Sequence, residues 1–160
     1  MAEKAAGQIT DDTLTTGRCM CGAIRYALTG KPRWVMHCHC ASCRRAVSSV
    51  VATYVGVKTA RFRYTAGTPK GYSGSPGVTR HFCGDCGTPI AYTGARWPDE
   101  VHLYHGTLDD PAAWLPTGHA HVVEQIPWFE VHDDLPRYEE VAAKGALPVR
   151  VGPKQDAIKG

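Results

Sequence analysis

The stretch His37-Cys38-His39-Cys40-Ala41-Ser42-Cys43-Arg44-Arg45 holds three closely spaced thiols. Two further clusters flank it at a distance, Cys19-Met20-Cys21-Gly22 and Cys83-Gly84-Asp85-Cys86-Gly87. Together they account for all 7 cysteines of the 160-residue chain. An odd number cannot be consumed by disulfides, and it divides naturally as four plus three. Four thiolates close a tetrahedral zinc site, whereas three leave a coordination position for water or substrate. The division points to one metal that builds the fold and one that reacts.

Tight knuckles such as Cys83-Gly84-Asp85-Cys86-Gly87 bring two sulfurs to one ion at about 2.3 Å. Gly84 and Gly87 relax the sharp backbone turn this needs. Joining Cys19 and Cys21 to Cys83 and Cys86 would staple the first strand to the middle of the domain. Such a site contributes about 10–16 kcal/mol of apparent binding energy to folding. The spacing equally permits Cys83 and Cys86 to join the central cluster. The central thiols Cys38, Cys40 and Cys43 have two leading readings, beside a shared cluster, another metal or no second metal. One is a second structural zinc completed by His37, His39 or His81. The other is a three-thiolate zinc with an open position, which suits a thiol substrate because zinc holds it deprotonated. Arg44 and Arg45 stand where they can offset thiolate charge or receive a substrate carboxylate. His39 is the nearest candidate proton carrier. His102, His105, His119, His121 and His132 lack ligand-like spacing to the cysteines.

The rest of the chain bounds these readings. Lys and Arg are scattered, and the formal charge of +3 falls to about zero once thiolates and zinc are counted. No basic stripe of a nucleic-acid binder is present. No run of 18 or more apolar residues suggests a membrane span. The polar start, Met1 to Thr16, lacks a signal peptide's apolar stretch, so a reducing cytoplasm is the expected compartment, where clustered cysteines favour metal. Loose tails are expected over residues 1–14 and 152–160 of a single domain covering 15–151. Between them, short runs rich in Val, Ile, Tyr and Thr predict strands at Ala23–Leu28, Arg33–His37, Ser49–Val55, Arg61–Tyr64, Val78–Phe82, Ile90–Thr93, Val101–Gly106 and His119–Glu124. Helical turns are expected at Ala41–Val47, Pro111–Trp114 and Pro136–Ala143. The fold class is mainly β: short antiparallel strands stapled by zinc, with few short helices.

Five ordered motifs carry a family resemblance. Gly17-Arg18-Cys19-Met20-Cys21-Gly22-Ala23-Ile24-Arg25-Tyr26 resembles the opening signature of the GFA family, also called centromere-protein-V/GFA domains. Cys38 to Arg45 resembles its central motif, and Arg80-His81-Phe82-Cys83-Gly84-Asp85-Cys86-Gly87-Thr88-Pro89-Ile90 its third. Gly106-Thr107-Leu108-Asp109-Asp110-Pro111, and Trp128 with Asp133-Asp134-Leu135-Pro136, resemble the trailing signatures. The match runs from about Gly17 to Tyr138. The resemblance implies a β-tent-like fold with two zinc ions, a structural one on Cys19, Cys21, Cys83 and Cys86 and a catalytic one on Cys38, Cys40 and Cys43. It also implies carbon–sulfur lyase chemistry: glutathione adds to formaldehyde to give S-hydroxymethylglutathione, and the adduct cleaves in reverse. Arg44, Arg45 or Lys70 would steer the anionic tripeptide. The alternatives on the same scaffold are a non-catalytic module binding glutathione or another small thiol, and an interaction domain in which both zincs are structural. One departure stands out: Val47-Ser48 lies where the family usually carries glycine.

Overall fold

The computed structural model describes residues 9–142 and 146–149. The expected C-terminal tail, 152–160, and the first eight residues of the expected N-terminal tail lie outside that range. The chain forms two compact units of interleaved sequence, one taking 9–35 and 54–115 and the other 36–53 and 116–149 of the described residues.

The first unit is built on two sheets. β1 (Leu14–Arg18), β2 (Arg25–Thr29) and β5 (Phe62–Ala66) form an antiparallel sheet in the order β1-β2-β5. β1 alternates exposed and buried residues, the signature of a strand with one face on a core. Gly17 is required there, because a Cβ would lie 2.2 Å from the Tyr26 ring. Tyr26 is fully buried and shares a 2.7 Å hydrogen bond with the Thr107 hydroxyl. The second sheet runs β4 (Ala52–Lys58), β9 (Glu100–Tyr104), β8 (Pro89–Gly94), β7 (Val78–Phe82) and β6 (Lys70–Ser75), each neighbour antiparallel. Val55, Val57, Ile90, Leu103 and Trp114 pack with Tyr26 and Leu28 into one core, and Cys19 and Cys83 are part of it.

In the second unit, the end of β3 (Trp34–Cys38) pairs in parallel with β10 (His119–Ala120), His37 opposite His119 and Cys38 opposite Ala120. The helix α1 (Ala41–Val47) begins three residues after Cys38. Its first turn is capped by the Cys40 sulfur, which accepts from the Cys43 N–H at 3.3 Å. Its end is Ser48 in the left-handed conformation, φ 51°, with the Ser49 N–H returning to Arg44 O at 3.2 Å. That is the position glycine prefers after a helix, so the departure at Val47-Ser48 falls on the one residue of α1's exit that needs positive φ.

Expectation and structure differ in four places. The strand expected at His119–Glu124 covers only His119–Ala120, and Val122–Glu124 form a 3-10 turn instead. β1 and β6 were not anticipated; β6 buries no residue and contains two glycines, so it carries no burial pattern. The described part of the expected N-terminal tail is built into the fold, for Ile9 packs on the core and Leu14 opens β1. No helix forms over 136–142, and Ala143 lies outside the described residues. The backbone there runs extended instead: His119 N–H donates to Pro136 O, Tyr138 N–H to His119 O, and Val122 N–H to Tyr138 O. These exchanges beside β10 leave no backbone groups for an i, i+4 helical ladder.

Candidate metal centres

The first centre gathers Cys19, Cys21, Cys83 and Cys86, whose sulfurs all lie within 4.8 Å of one another. Cys19 follows β1 directly, and the pair Cys83 and Cys86 follows β7. Two turns shape it. Gly22 at φ 78° and Gly87 at φ 74° close the knuckles, with Gly22 N–H donating to Cys19 O and Gly87 N–H to Cys83 O. The Ile24 N–H points at Cys19 Sγ at 3.2 Å, and Thr88 Oγ1 lies 3.1 Å from Cys86 Sγ. The sulfur separations are 3.5 Å for Cys19–Cys21 and 3.7 Å for Cys21–Cys83. A tetrahedron with zinc–sulfur bonds of about 2.3 Å has edges of about 3.8 Å. The donor set therefore fits a tetrahedral thiolate-loving ion, and the structure brings the first and third clusters, whose pairing the sequence leaves open, into one four-cysteine group.

The thiols of this group titrate unequally. Cys86 is pulled down to about 5, chiefly by the Thr88 hydroxyl and backbone N–H donors. Cys21 moves the other way: the Ala23 N–H favours its thiolate, but its thiol neighbours Cys19 and Cys86 push it up to about 12. Cys19 is lowered as well, against its burial, by the Ile24 N–H and by Cys21 and Cys83, so ionised sulfurs stand beside the protonated Cys21. A metal ion must displace the protons that remain, so its affinity falls with acid.

The second centre gathers Cys38, Cys40 and Cys43 within the same 4.8 Å limit. Cys38 is buried at the end of β3, Cys40 caps α1, and Cys43 lies in its first turn; the last two are half-buried. Among the described residues no histidine nitrogen, carboxylate or further thiol joins the three sulfurs within that limit. The Cys40 thiol is drawn down to about 2 by hydrogen bonds from Cys38 and Cys43 and by the Cys43 N–H, against its burial. The Cys38 thiol is pushed up by the same two neighbours and by burial. Three soft donors fit zinc as well as four do, and a three-donor set takes a further ligand from outside the chain.

The surroundings assign the other candidate residues. Arg44 is tied down: Nε donates to His39 O at 2.9 Å and Nη2 to Glu124 O at 3.2 Å. Arg45 is exposed, and with Ala41, Arg44 and Ser48 it lines an open depression of about 730 Å³ along α1. His39 is fully buried, and its Nε2 lies 2.9 Å from His119 Nδ1. His119 Nε2 in turn lies 3.0 Å from Asp133 Oδ2. The ionised Asp133 can only accept, so His119 donates from Nε2 and accepts at Nδ1, and His39 donates from Nε2. His39 Nδ1 is then a bare lone pair, buried without a hydrogen-bond partner among the described residues. Burial, followed by the nearby His119, His37, Arg137 and Arg44, holds His39 down at about 4. Lys70 opens β6, where its side chain packs over Gly84.

His119 and Asp133 were missed as neighbours of the central cluster, because spacing to the cysteines says nothing about a partner some 80 residues away. Asp133-Asp134-Leu135-Pro136 was the one signal that could have found them.

A mainly β chain with two cysteine clusters, each of which could hold a metal ion, defines the class. The chain matches the family of glutathione-dependent formaldehyde-activating enzymes, GFA, over residues 14–124. It belongs to that family. A Halomonas elongata protein described as "Putative glutathione-dependent formaldehyde-activating enzyme" is 27% identical over 129 residues, spanning 74% of this chain and 81% of the relative. A crystal structure of a Rhodobacter sphaeroides protein aligns with TM-score 0.50 at 21% identity, covering 59% of this chain and 87% of the other, and supports the fold. Among the described residues, no helix is long and apolar enough to cross a membrane.

Proposed function

We propose that the chain is a zinc-dependent carbon–sulfur lyase acting on a thiol–aldehyde adduct such as S-hydroxymethylglutathione. The observation that carries this reading is the difference between the two cysteine groups: one has four protein donors, the other three. When bound to Cys38, Cys40 and Cys43, zinc supplies a Lewis-acidic position that holds an incoming thiol as its thiolate. In the cleavage direction the adduct's hydroxyl loses its proton, the carbonyl of formaldehyde forms, the carbon–sulfur bond breaks and the sulfur leaves with the electron pair. The proton returns to sulfur or solvent when glutathione departs.

The chain's own residues supply geometry and charge. Arg45, exposed on the helix that carries Cys43 and lining the depression, would draw a glutathione carboxylate. Arg44 spends its guanidinium on two backbone carbonyls, so it fixes α1 against the loop of Cys38 to Cys40. His39 is enclosed and neutral, which favours a positioning role over proton exchange with solvent.

The test is turnover of glutathione and formaldehyde, measured against the spontaneous reaction. Zinc-loaded protein should exceed background, and Cys43→Ser should return it to background. Absence of any zinc-dependent gain would remove the lyase reading and leave a thiol-binding module.

A further inference from the structure

We infer that His37, His119 and Asp133 form a third metal site, separate from both cysteine groups and independent of the lyase reading, which takes a first-row divalent transition cation. One ligand-type atom from each lies within 4.8 Å of the others. The two imidazole rings face one another with centroids 4.9 Å apart, tilted by 39°. The backbone explains the convergence, since β3 and β10 pair in parallel with His37 directly opposite His119. Side chains of directly paired residues point to the same face of a sheet. Asp133 comes from the loop that returns beside β10.

The supporting contacts are those expected around a metal. A ligating histidine usually has its other ring nitrogen fixed by a hydrogen bond. Here Thr53 Oγ1 engages His37 Nδ1 at 2.8 Å, and His39 Nε2 engages His119 Nδ1 at 2.9 Å. Nε2 of each ring is therefore the ligand atom assigned. The carboxylate is oriented too. Its Oδ1 accepts from the Leu135 N–H at 3.1 Å and pairs with Arg137 at 3.2 Å, while Oδ2 lies 3.0 Å from His119 Nε2. His119 Nε2 also lies 3.1 Å from Oδ1, so it sits astride the carboxylate.

A cation bound to His119 Nε2 displaces that proton to Nδ1. His39 Nε2 then becomes the acceptor and His39 Nδ1 takes the proton, so both rings stay neutral. Two imidazoles and one carboxylate select against magnesium and calcium, which want oxygen alone, and suit cobalt, nickel, zinc or ferrous iron. Three protein donors leave positions for water or a small anion.

The experiment starts from protein whose cysteine groups are filled with zinc and dialyses it against cobalt(II), counting both metals. The expected result is one cobalt per chain with zinc undiminished, and an absorption spectrum without sulfur-to-cobalt charge transfer. Asp133→Asn and His37→Gln should each weaken cobalt binding at least tenfold while keeping their zinc and circular dichroism. A readout on the unaltered protein does not depend on either variant folding: bound cobalt should shift the ring N–H proton signals of two histidines. Cobalt that enters only by displacing zinc, cobalt retained equally by both folded variants, or no shifted imidazole signals would each overturn the assignment.

Discussion

Replacing one sulfur in each cysteine group should have very different consequences for the fold. Cys83 is 1% exposed and belongs to the hydrophobic core, as does Cys19. Its group ties the end of β1 to the end of β7 across more than 60 residues of chain. A structural zinc held there would contribute about 10–16 kcal/mol of apparent binding energy, whereas a domain's whole stability is about 5–15 kcal/mol. Cys83→Ser substitutes a hard hydroxyl for a ligand thiolate and should leave the protein unfolded, or nearly so, at 25 °C. Cys43 is different. It lies in α1, which buries no residue. Cys43→Ser removes a ligand without opening a cavity, and its backbone N–H still reaches Cys40 Sγ. The expected cost is about 1 kcal/mol or less, a fall in Tm of about 3 °C for a chain of this size. Circular dichroism, thermal unfolding and zinc counting on both variants provide the assay. Cys43→Ser should be folded with one zinc fewer. Equal collapse of the two variants, or a folded Cys83→Ser with unchanged Tm, would refute the reasoning.

Ser48→Gly relieves a left-handed residue at φ 51° and should raise stability by about 0.5–1 kcal/mol, read as a shift in urea midpoint; a loss of stability would contradict the capping assignment. His39 titrates near 4 when folded against an ordinary 6.5. The unfolded chain therefore binds the proton first. Stability should be full above about pH 6.5 and fall by about 3 kcal/mol as pH drops to about 4. His39→Gln should flatten that slope, and parallel slopes would show that other groups set it. Arg45→Ala should raise KM for glutathione several-fold with kcat little changed, the pattern of a remote carboxylate contact; an unchanged KM would remove Arg45 from substrate binding.

Legibility in the sequence followed burial and chemistry. The strands that bury residues, such as β9 with all five positions enclosed, could be read from Val, Leu and Tyr in Val101 to Tyr104. α1 was readable at its own boundaries because Cys43-Arg44-Arg45-Ala46 lacks breakers. β6 was not, since an edge strand of exposed residues with Gly71 and Gly74 leaves no periodic trace. The cysteine groups were legible because local spacing is itself the ligand geometry. The link from His39 through His119 to Asp133 was not, because it depends on a parallel register that no local pattern encodes.

The two sulfur centres should differ in saturation, and cadmium-113 NMR of protein carrying two cadmium ions tests this directly. The expected spectrum has two resonances, one typical of four thiolates and one of three. Added glutathione should move only the second, towards the first. Two four-sulfur resonances from the outset, or a second resonance that ignores glutathione, would contradict the account.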